Sequence, residues 1–187
     1  MATVQAVKTT AEIHMVEALL RKYRRSSLYG DLWRIGVNMA LRISDLLAIR
    51  SEDIDIDNRC YTTIEKKTGK RRSIRLNSTA LRFIAKRLQD YPEDIYLFQS
   101  DRSRGLGINK AISRVEVGKA FREVGYTIEV RLGTHSMRKS RGWAMYSDGV
   151  PIEMIAKVLN HSNPATTMAY LGITDEEIMQ TYDDYEL

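Results

Sequence analysis

Apolar side chains recur at helical spacing along most of this chain, interrupted once by an alternating stretch. Thr9 or Thr10 is placed to cap a first helix, with Glu12 completing a capping box from Thr9. Ile13, Val16, Leu19 and Leu20 then form one apolar stripe. Residues 28–40 carry Leu32, Trp33, Ile35, Gly36 and Met39 as a second helix, and Ser44 is placed to cap a third that runs to about residue 49. Residues 55–65 read as a strand, Thr68-Gly69 as a turn and residues 73–76 as the returning strand. Helical periodicity resumes from a cap at Ser78 to about residue 91. Residues 95–98 then read as a short strand, 101–108 as a polar linker, and 109–124 as an amphipathic helix with Ile112, Val115, Ala120 and Phe121.

The stretch 134–171 reads as three short helices folded over one another. Gly149 ends the first, Pro151 and Pro164 open the next two, and Ile152, Ile155, Val158 and Leu159 supply a core face. Residues 174–187 read as a last helix with Ile178, Met179 and Tyr182 on one side. The expected fold class is therefore mainly α with a small antiparallel hairpin, an α+β domain. Residues 1–9 are expected to be a loose end, 10–172 one domain, and 173–187 an acidic tail.

Charge sharpens this picture. The 187 residues carry a net charge of +5, but all 29 basic residues and only 18 of the 24 acidic ones lie in residues 1–172. A body of formal charge +11 ahead of a tail bearing Asp175, Glu176, Glu177, Asp183, Asp184 and Glu186 suits a polyanionic partner. With 43% hydrophobic and 28% charged residues, no membrane-length apolar run and no signal-peptide pattern, the expected compartment is the cytoplasm. The lone Cys60 excludes an internal disulfide and any multi-cysteine metal site, and it is expected to be a small buried residue of a strand.

The candidate chemistry lies in the three C-terminal helices. His135 and Arg138 are three residues apart and share a helix face, His161 lies further on, and Tyr170 follows nine residues later. Two imidazoles, a guanidinium and a phenol at one spot offer donors for an anionic oxygen together with a nucleophile, a set suited to a phosphodiester.

This H-x-x-R, L-x-H and tyrosine arrangement resembles the tyrosine recombinases, also called phage integrases. Residues 40–47, Ala-Leu-Arg-Ile-Ser-Asp-Leu-Leu, resemble that family's first-arginine box, and Lys66-Lys67-Thr68-Gly69-Lys70 resembles the hairpin that carries its lysine. Together the matches span roughly residues 10–172. The resemblance implies the recombinase catalytic-domain fold and cleavage of one DNA strand by Tyr170, leaving a 3′-phosphotyrosyl bond and a free 5′-hydroxyl, without metal, ATP or other cofactor. It assigns Arg42 and Arg138 to the non-bridging oxygens and His161 to a further hydrogen bond. His135 either donates likewise or accepts the tyrosine proton. Lys67 is the general acid, with Lys66 as the fallback, and Asp45 pairs with or orients Arg42. Lys66, Lys70, Arg71, Arg72, Lys139 and Arg141 are the expected further DNA contacts. The implied partners are double-stranded DNA and copies of the same chain assembled on it, the acidic tail docking on a neighbouring copy.

Three positions depart from the pattern: Asn160 where glycine usually precedes the second histidine, Met137 where leucine is common, and Lys139 where histidine often stands. A left-handed backbone at residue 160 accommodates either glycine or asparagine. The N-terminal helical domain that usually completes a DNA clamp has no counterpart in residues 1–9, so a catalytic fragment or a minimal recombinase with weak, salt-sensitive DNA binding is expected. Two rival readings are a type IB topoisomerase-like nicking and rejoining activity, and a non-catalytic helical DNA-binding regulator.

Overall fold

The structure, a computed structural model, describes residues 4–184. It is organised around α2 (Leu28–Met39), whose side chains are buried at every position but Asn38. Helix α1 (Thr10–Lys22) packs along α2 and begins with the expected capping box between Thr9 and Glu12. Helix α2 stops where Ala40 turns left-handed, at φ 51°, and the short α3 (Ile43–Leu46) follows with Arg42 as its N-cap. Ser44 therefore lies inside α3 and does not cap it.

A three-stranded antiparallel sheet comes next, in the order β1 (Ile54–Asp55), β2 (Cys60–Ile64) and β3 (Arg71–Arg75), with Tyr61 opposite Ile74 and Thr63 opposite Arg72. The single strand expected over 55–65 is split by a turn. Asp55 Oδ1 accepts the Asn58 N–H at 2.9 Å and Arg59 turns left-handed, an Asx turn that apolar periodicity does not register. Tyr61 and Ile74 face the core, whereas Cys60 is only half-buried.

Helix α4 (Ser78–Asp90) is capped by Asn77, whose side chain accepts from the Ala80 N–H at 2.9 Å, one position before the expected Ser78. Residues 95–98 contribute only an isolated bridge of Tyr96 to Arg50. The expected linker contains a helix, α5 (Asp101–Gly105), capped by Ser100, and α6 (Arg114–Thr127) starts late, at a capping box of Ser113 and Glu116. Both helices are announced by polar caps and not by an apolar stripe.

Three helices follow as expected: α7 (Ser136–Ser147), α8 (Ile152–Val158) and α9 (Pro164–Leu171), with Pro164 in the first helical turn. Helix α7 is pressed between two neighbours. A Cβ on Gly36 of α2 would overlap the Met137 sulfur, and one on Gly142 would come within 2.9 Å of Leu171 on α9. The large core holds Trp33 edge-on to Phe121 at 5.5 Å, while a smaller cluster of Ala40, Ile155, Leu159 and Leu171 lies under α7 to α9.

Among the described residues the N-terminal segment is not a loose end. Gln5 N–H donates to the Arg131 carbonyl at 2.9 Å, the Val7 N–H donates to Ser140 Oγ at 2.8 Å, and Val7 is buried. The segment is held by backbone hydrogen bonds to partners more than a hundred residues away, which local composition does not reveal. At the other end, α10 (Asp175–Asp184) exposes Met179 and Tyr182. The side chain of Ile178, together with residues 1–3 and 185–187, lies outside the described residues. No helix among the described residues is long and apolar enough to cross a membrane.

Candidate active site

Two chain reversals build the site. The left-handed Ala40 ends α2 and the left-handed Asn160, at φ 47°, ends the α8 turn; both place a carbonyl toward α7. Arg138, buried on α7, donates from Nη1 to the Ala40 carbonyl at 2.7 Å and from Nη2 to the Leu159 carbonyl. One guanidinium thereby fastens the backbone two residues before Arg42 and two residues before His161. Five N–H donors on a planar fork allow this while leaving others for a ligand.

Arg42, extended at the start of α3, directs Nη2 to the Asn160 carbonyl at 3.2 Å and Nη1 to the Glu65 carboxylate. Glu65 has no exposed side-chain surface. It also accepts from Arg72 Nη1 at 2.9 Å, Asn160 Nδ2 at 2.5 Å and Thr68 Oγ1 at 3.3 Å. Burial pushes its carboxyl up, but the hydrogen bonds of Arg72 and Asn160 and the charges of both arginines hold it below the usual carboxylate range.

On α9, Tyr170 donates its hydroxyl to the His135 carbonyl at 3.3 Å and sets its ring edge-on to His161, the centroids 5.0 Å apart. Burial raises its pKa, while the charge and hydrogen bonding of Arg138, and the charge of Arg42, pull in the direction that favours a phenolate. His161 Nδ1 lies 2.9 Å from the buried Thr167 hydroxyl. The tautomer in which Thr167 donates to Nδ1 leaves the other ring nitrogen as a donor. Burial, then Arg138, Arg42 and Lys67, depress the His161 pKa to about 4. His135, the N-cap of α7, is shifted down by desolvation and by Arg114, Arg138, Lys139 and Arg42. Both imidazoles are thus neutral near pH 7.

A pH dependence follows. A histidine whose pKa falls from its ordinary 6.5 to about 4 on folding binds fewer protons in the native state between those values. Its contribution to stability is complete above pH 6.5 and is lost as pH falls toward 4. Thermal unfolding at a series of pH values should show Tm dropping across that window, with a shallower drop in His161→Gln.

The structure brings together four of the residues read from the sequence, Arg42, Arg138, His161 and Tyr170, and adds the carbonyl of His135. Lys67 is exposed on the 66–70 turn, close enough for its charge to act on His161. Asp45 does not pair with Arg42: it is buried and its Oδ1 accepts the Lys66 N–H at 3.1 Å, which pins the base of the lysine turn. Arg42 turns instead to Glu65. Arg72 is not a free surface cation either, since its guanidinium is held by Glu65 and the Val158 carbonyl and its side chain is 14% exposed. Lys139 is buried with Nζ 5.1 Å from the Tyr170 ring centroid, Arg141 is half-buried, and Lys66, Lys70 and Arg71 are exposed. Tyr146 packs in the small core near Trp143. Among the described residues no group of three or more His, Cys, Asp or Glu is placed to hold a metal ion.

Sequence reading missed Glu65, the side chain of Asn160, and Thr167. For Glu65 a signal existed: it lies on the same face as Tyr61 by strand alternation, and a carboxylate on a buried face requires a cation.

Residues 12–177 match the phage integrase family. Over 184 residues the chain is 33% identical to the probable integrase/recombinase YoeC of Bacillus subtilis, covering 97% of each. It is 26% identical over 147 residues to tyrosine recombinase XerA of Pyrococcus furiosus, covering 76% of this chain but 49% of that one. In fold it is similar to the Tn1549 transposon integrase solved in complex with a circular intermediate DNA. That likeness has a TM-score of 0.76 at 16% identity and covers 99% of this chain and 67% of the other. By a match over most of its length, and by a relative aligned nearly end to end, the chain belongs to the phage integrase family.

Proposed function

We propose that this chain is the catalytic domain of a site-specific recombinase that breaks and rejoins double-stranded DNA through a phosphotyrosyl intermediate. The observation that carries this reading is the placement of the Tyr170 phenol against Arg138 and His161, with Arg42 fastened to the same framework. Tyr170 leaves the His135 carbonyl and its oxygen attacks the scissile phosphorus. Its proton passes to the neutral His135 imidazole, and the bond from phosphorus to the 5′-oxygen breaks. Lys67 protonates that oxygen. Negative charge building on the non-bridging oxygens meets preorganised donors from Arg42, Arg138 and His161. Attack on the protein ester by the 5′-hydroxyl of a partner strand runs the same steps backwards.

The test is covalent trapping on nicked duplexes of randomised sequence in the presence of a chelator, resolved on a denaturing gel. Wild type is expected to give a protein–DNA adduct. Because no lysine or arginine follows Lys157, tryptic digestion leaves the nucleotide on the single C-terminal peptide containing Tyr170, where fragmentation locates it. An adduct on another residue overturns the assignment. Exchange between two labelled duplexes separates recombination from simple rejoining. The exposed Met179 and Tyr182 of α10 support docking of the tail on a second copy of the chain. Truncation after Gly172 should abolish the slower, multiply occupied DNA complexes on a native gel, and their persistence would remove the tail from assembly.

A further inference from the structure

A fully buried carboxylate at the centre of a cationic site requires a reason. Isolated from water, it is costly unless several donors satisfy it, and Glu65 has four: Arg42, Arg72, Asn160 and Thr68. Those partners come from different parts of the site. Arg42 is at the start of α3, Asn160 immediately precedes His161, and Thr68 immediately follows Lys67. The main chain of Glu65 closes the lysine turn as well, for its carbonyl accepts the Thr68 N–H at 3.3 Å and the Gly69 N–H at 2.8 Å, and its own N–H donates to the Lys70 carbonyl at 3.0 Å.

The geometry of Arg42 shows what this arrangement does. An arginine side chain has four rotatable bonds and wanders unless its head is held. Glu65 takes one edge of the guanidinium and the Asn160 carbonyl another, so the remaining N–H groups are aimed without occupying them all. The carboxylate also offsets repulsion between Arg42 and Arg72, which share it from opposite oxygens. Without that negative charge, the two partly buried guanidinium groups would lose the carboxylate they share.

On the reading that Tyr170 cleaves DNA, we infer that Glu65 is a positioning residue for that reaction, holding Arg42 in register with the scissile phosphate from the base of the lysine turn. It does not touch substrate; it acts through the guanidinium. The assignment differs from the expectation that Asp45 would orient this arginine, and it gives the two acids separate tasks: Asp45 holds the backbone of the lysine turn and Glu65 holds the arginine head.

The test uses the full chain and the nicked duplexes described above, comparing wild type, Glu65→Gln, Glu65→Asp and Lys67→Ala. Cleavage is measured in single turnover at a temperature where circular dichroism shows each variant folded. Glu65→Gln preserves shape but removes the charge. It should slow adduct formation on the order of 100-fold, the scale of a catalytic group displaced by about 1 Å. Glu65→Asp keeps the charge and should lose less, and it keeps the comparison available if the glutamine variant does not fold.

A second substrate identifies the route. Sulfur in place of the bridging 5′-oxygen leaves as a thiolate and needs no proton, so it should restore Lys67→Ala while leaving Glu65→Gln slow. Restoration of Glu65→Gln by sulfur would place its effect on the lysine turn and overturn the inference. So would a wild-type rate in the folded glutamine variant, or a glutamine variant faster than the aspartate one. No adduct from wild type on either substrate overturns the phosphotyrosyl reading itself, and the role of Glu65 with it.

Discussion

Tyr170→Phe should abolish the covalent protein–DNA adduct, lowering its rate of formation by at least about 10⁴-fold, as loss of a nucleophile does when the remaining machinery cannot substitute for it. The substitution is structurally mild. The hydroxyl donates a single bond, 3.3 Å long, to the His135 carbonyl. Arg138, which also hydrogen-bonds it, keeps the Ala40 and Leu159 carbonyls as partners, and the ring keeps its edge-on packing with His161 and its contact with Lys139. Loss of such a bond costs about 1 kcal/mol or less. The variant should therefore melt close to wild type and still retard DNA on a native gel, which separates lost chemistry from lost fold. An adduct that survives in Tyr170→Phe would show that another tyrosine is the nucleophile. Tyr146 is a poor candidate because it is packed in the small core, and Tyr182 projects from an acidic helix that repels phosphate.

Arg138→Ala should be nearly as damaging to cleavage and far more damaging to stability. Removing a preorganised donor from an oxyanion-stabilising site costs about 10²- to 10³-fold in rate. Here the same change also releases the carbonyls of Ala40 and Leu159, and each unsatisfied buried acceptor costs about 1–3 kcal/mol. A loss of about 2–5 kcal/mol in chemical denaturation is expected, together with a rate loss greater than the donor alone explains, because Arg42 and His161 lose the anchors just upstream of them. Arg138→Lys sharpens the prediction. A single ammonium retains the charge yet cannot bridge both carbonyls, so it should recover little of either loss. If Arg138→Lys cleaved within about tenfold of wild type, the bridging role argued from this geometry would be wrong.

Local signals in the sequence carried much of this architecture. The Thr9–Glu12 capping box, the left-handed Asn160 and the proline at the head of α9 are all properties of a few adjacent residues, and the structure has them where the sequence places them. The same holds for the three-residue spacing of His135 and Arg138. What escaped were partnerships across the chain. Asp45 lies three residues from Arg42, and nearness in sequence suggested a pair, but the helix turn points Asp45 at the backbone of Lys66 and leaves Arg42 to meet Glu65, 23 residues on. Arg72 looked like a surface cation because hairpin ends usually are, until its cross-strand position put it against the same carboxylate. Helix α5 escaped for a different reason: Asp-Arg-Ser-Arg-Gly has no apolar stripe to announce it, and the serine cap before it stands alone as a signal.

On the proposed function, the distances along the chain between bonded partners have a consequence for when DNA can be cut. Arg138 reaches 98 residues back to Ala40, Arg42 reaches 118 forward to Asn160, and the Tyr170 hydroxyl rests 35 residues upstream. No contiguous fragment short of almost the whole domain contains both halves of the phosphate cradle. A ribosome must finish α8 before Arg42 has its second anchor, and, on the proposed assignment, α9 before the nucleophile Tyr170 is in place. On that assignment a nascent, truncated or locally unfolded chain would have no partial activity to misdirect: the capacity to cut DNA would arrive with the assembled cradle and disappear with it.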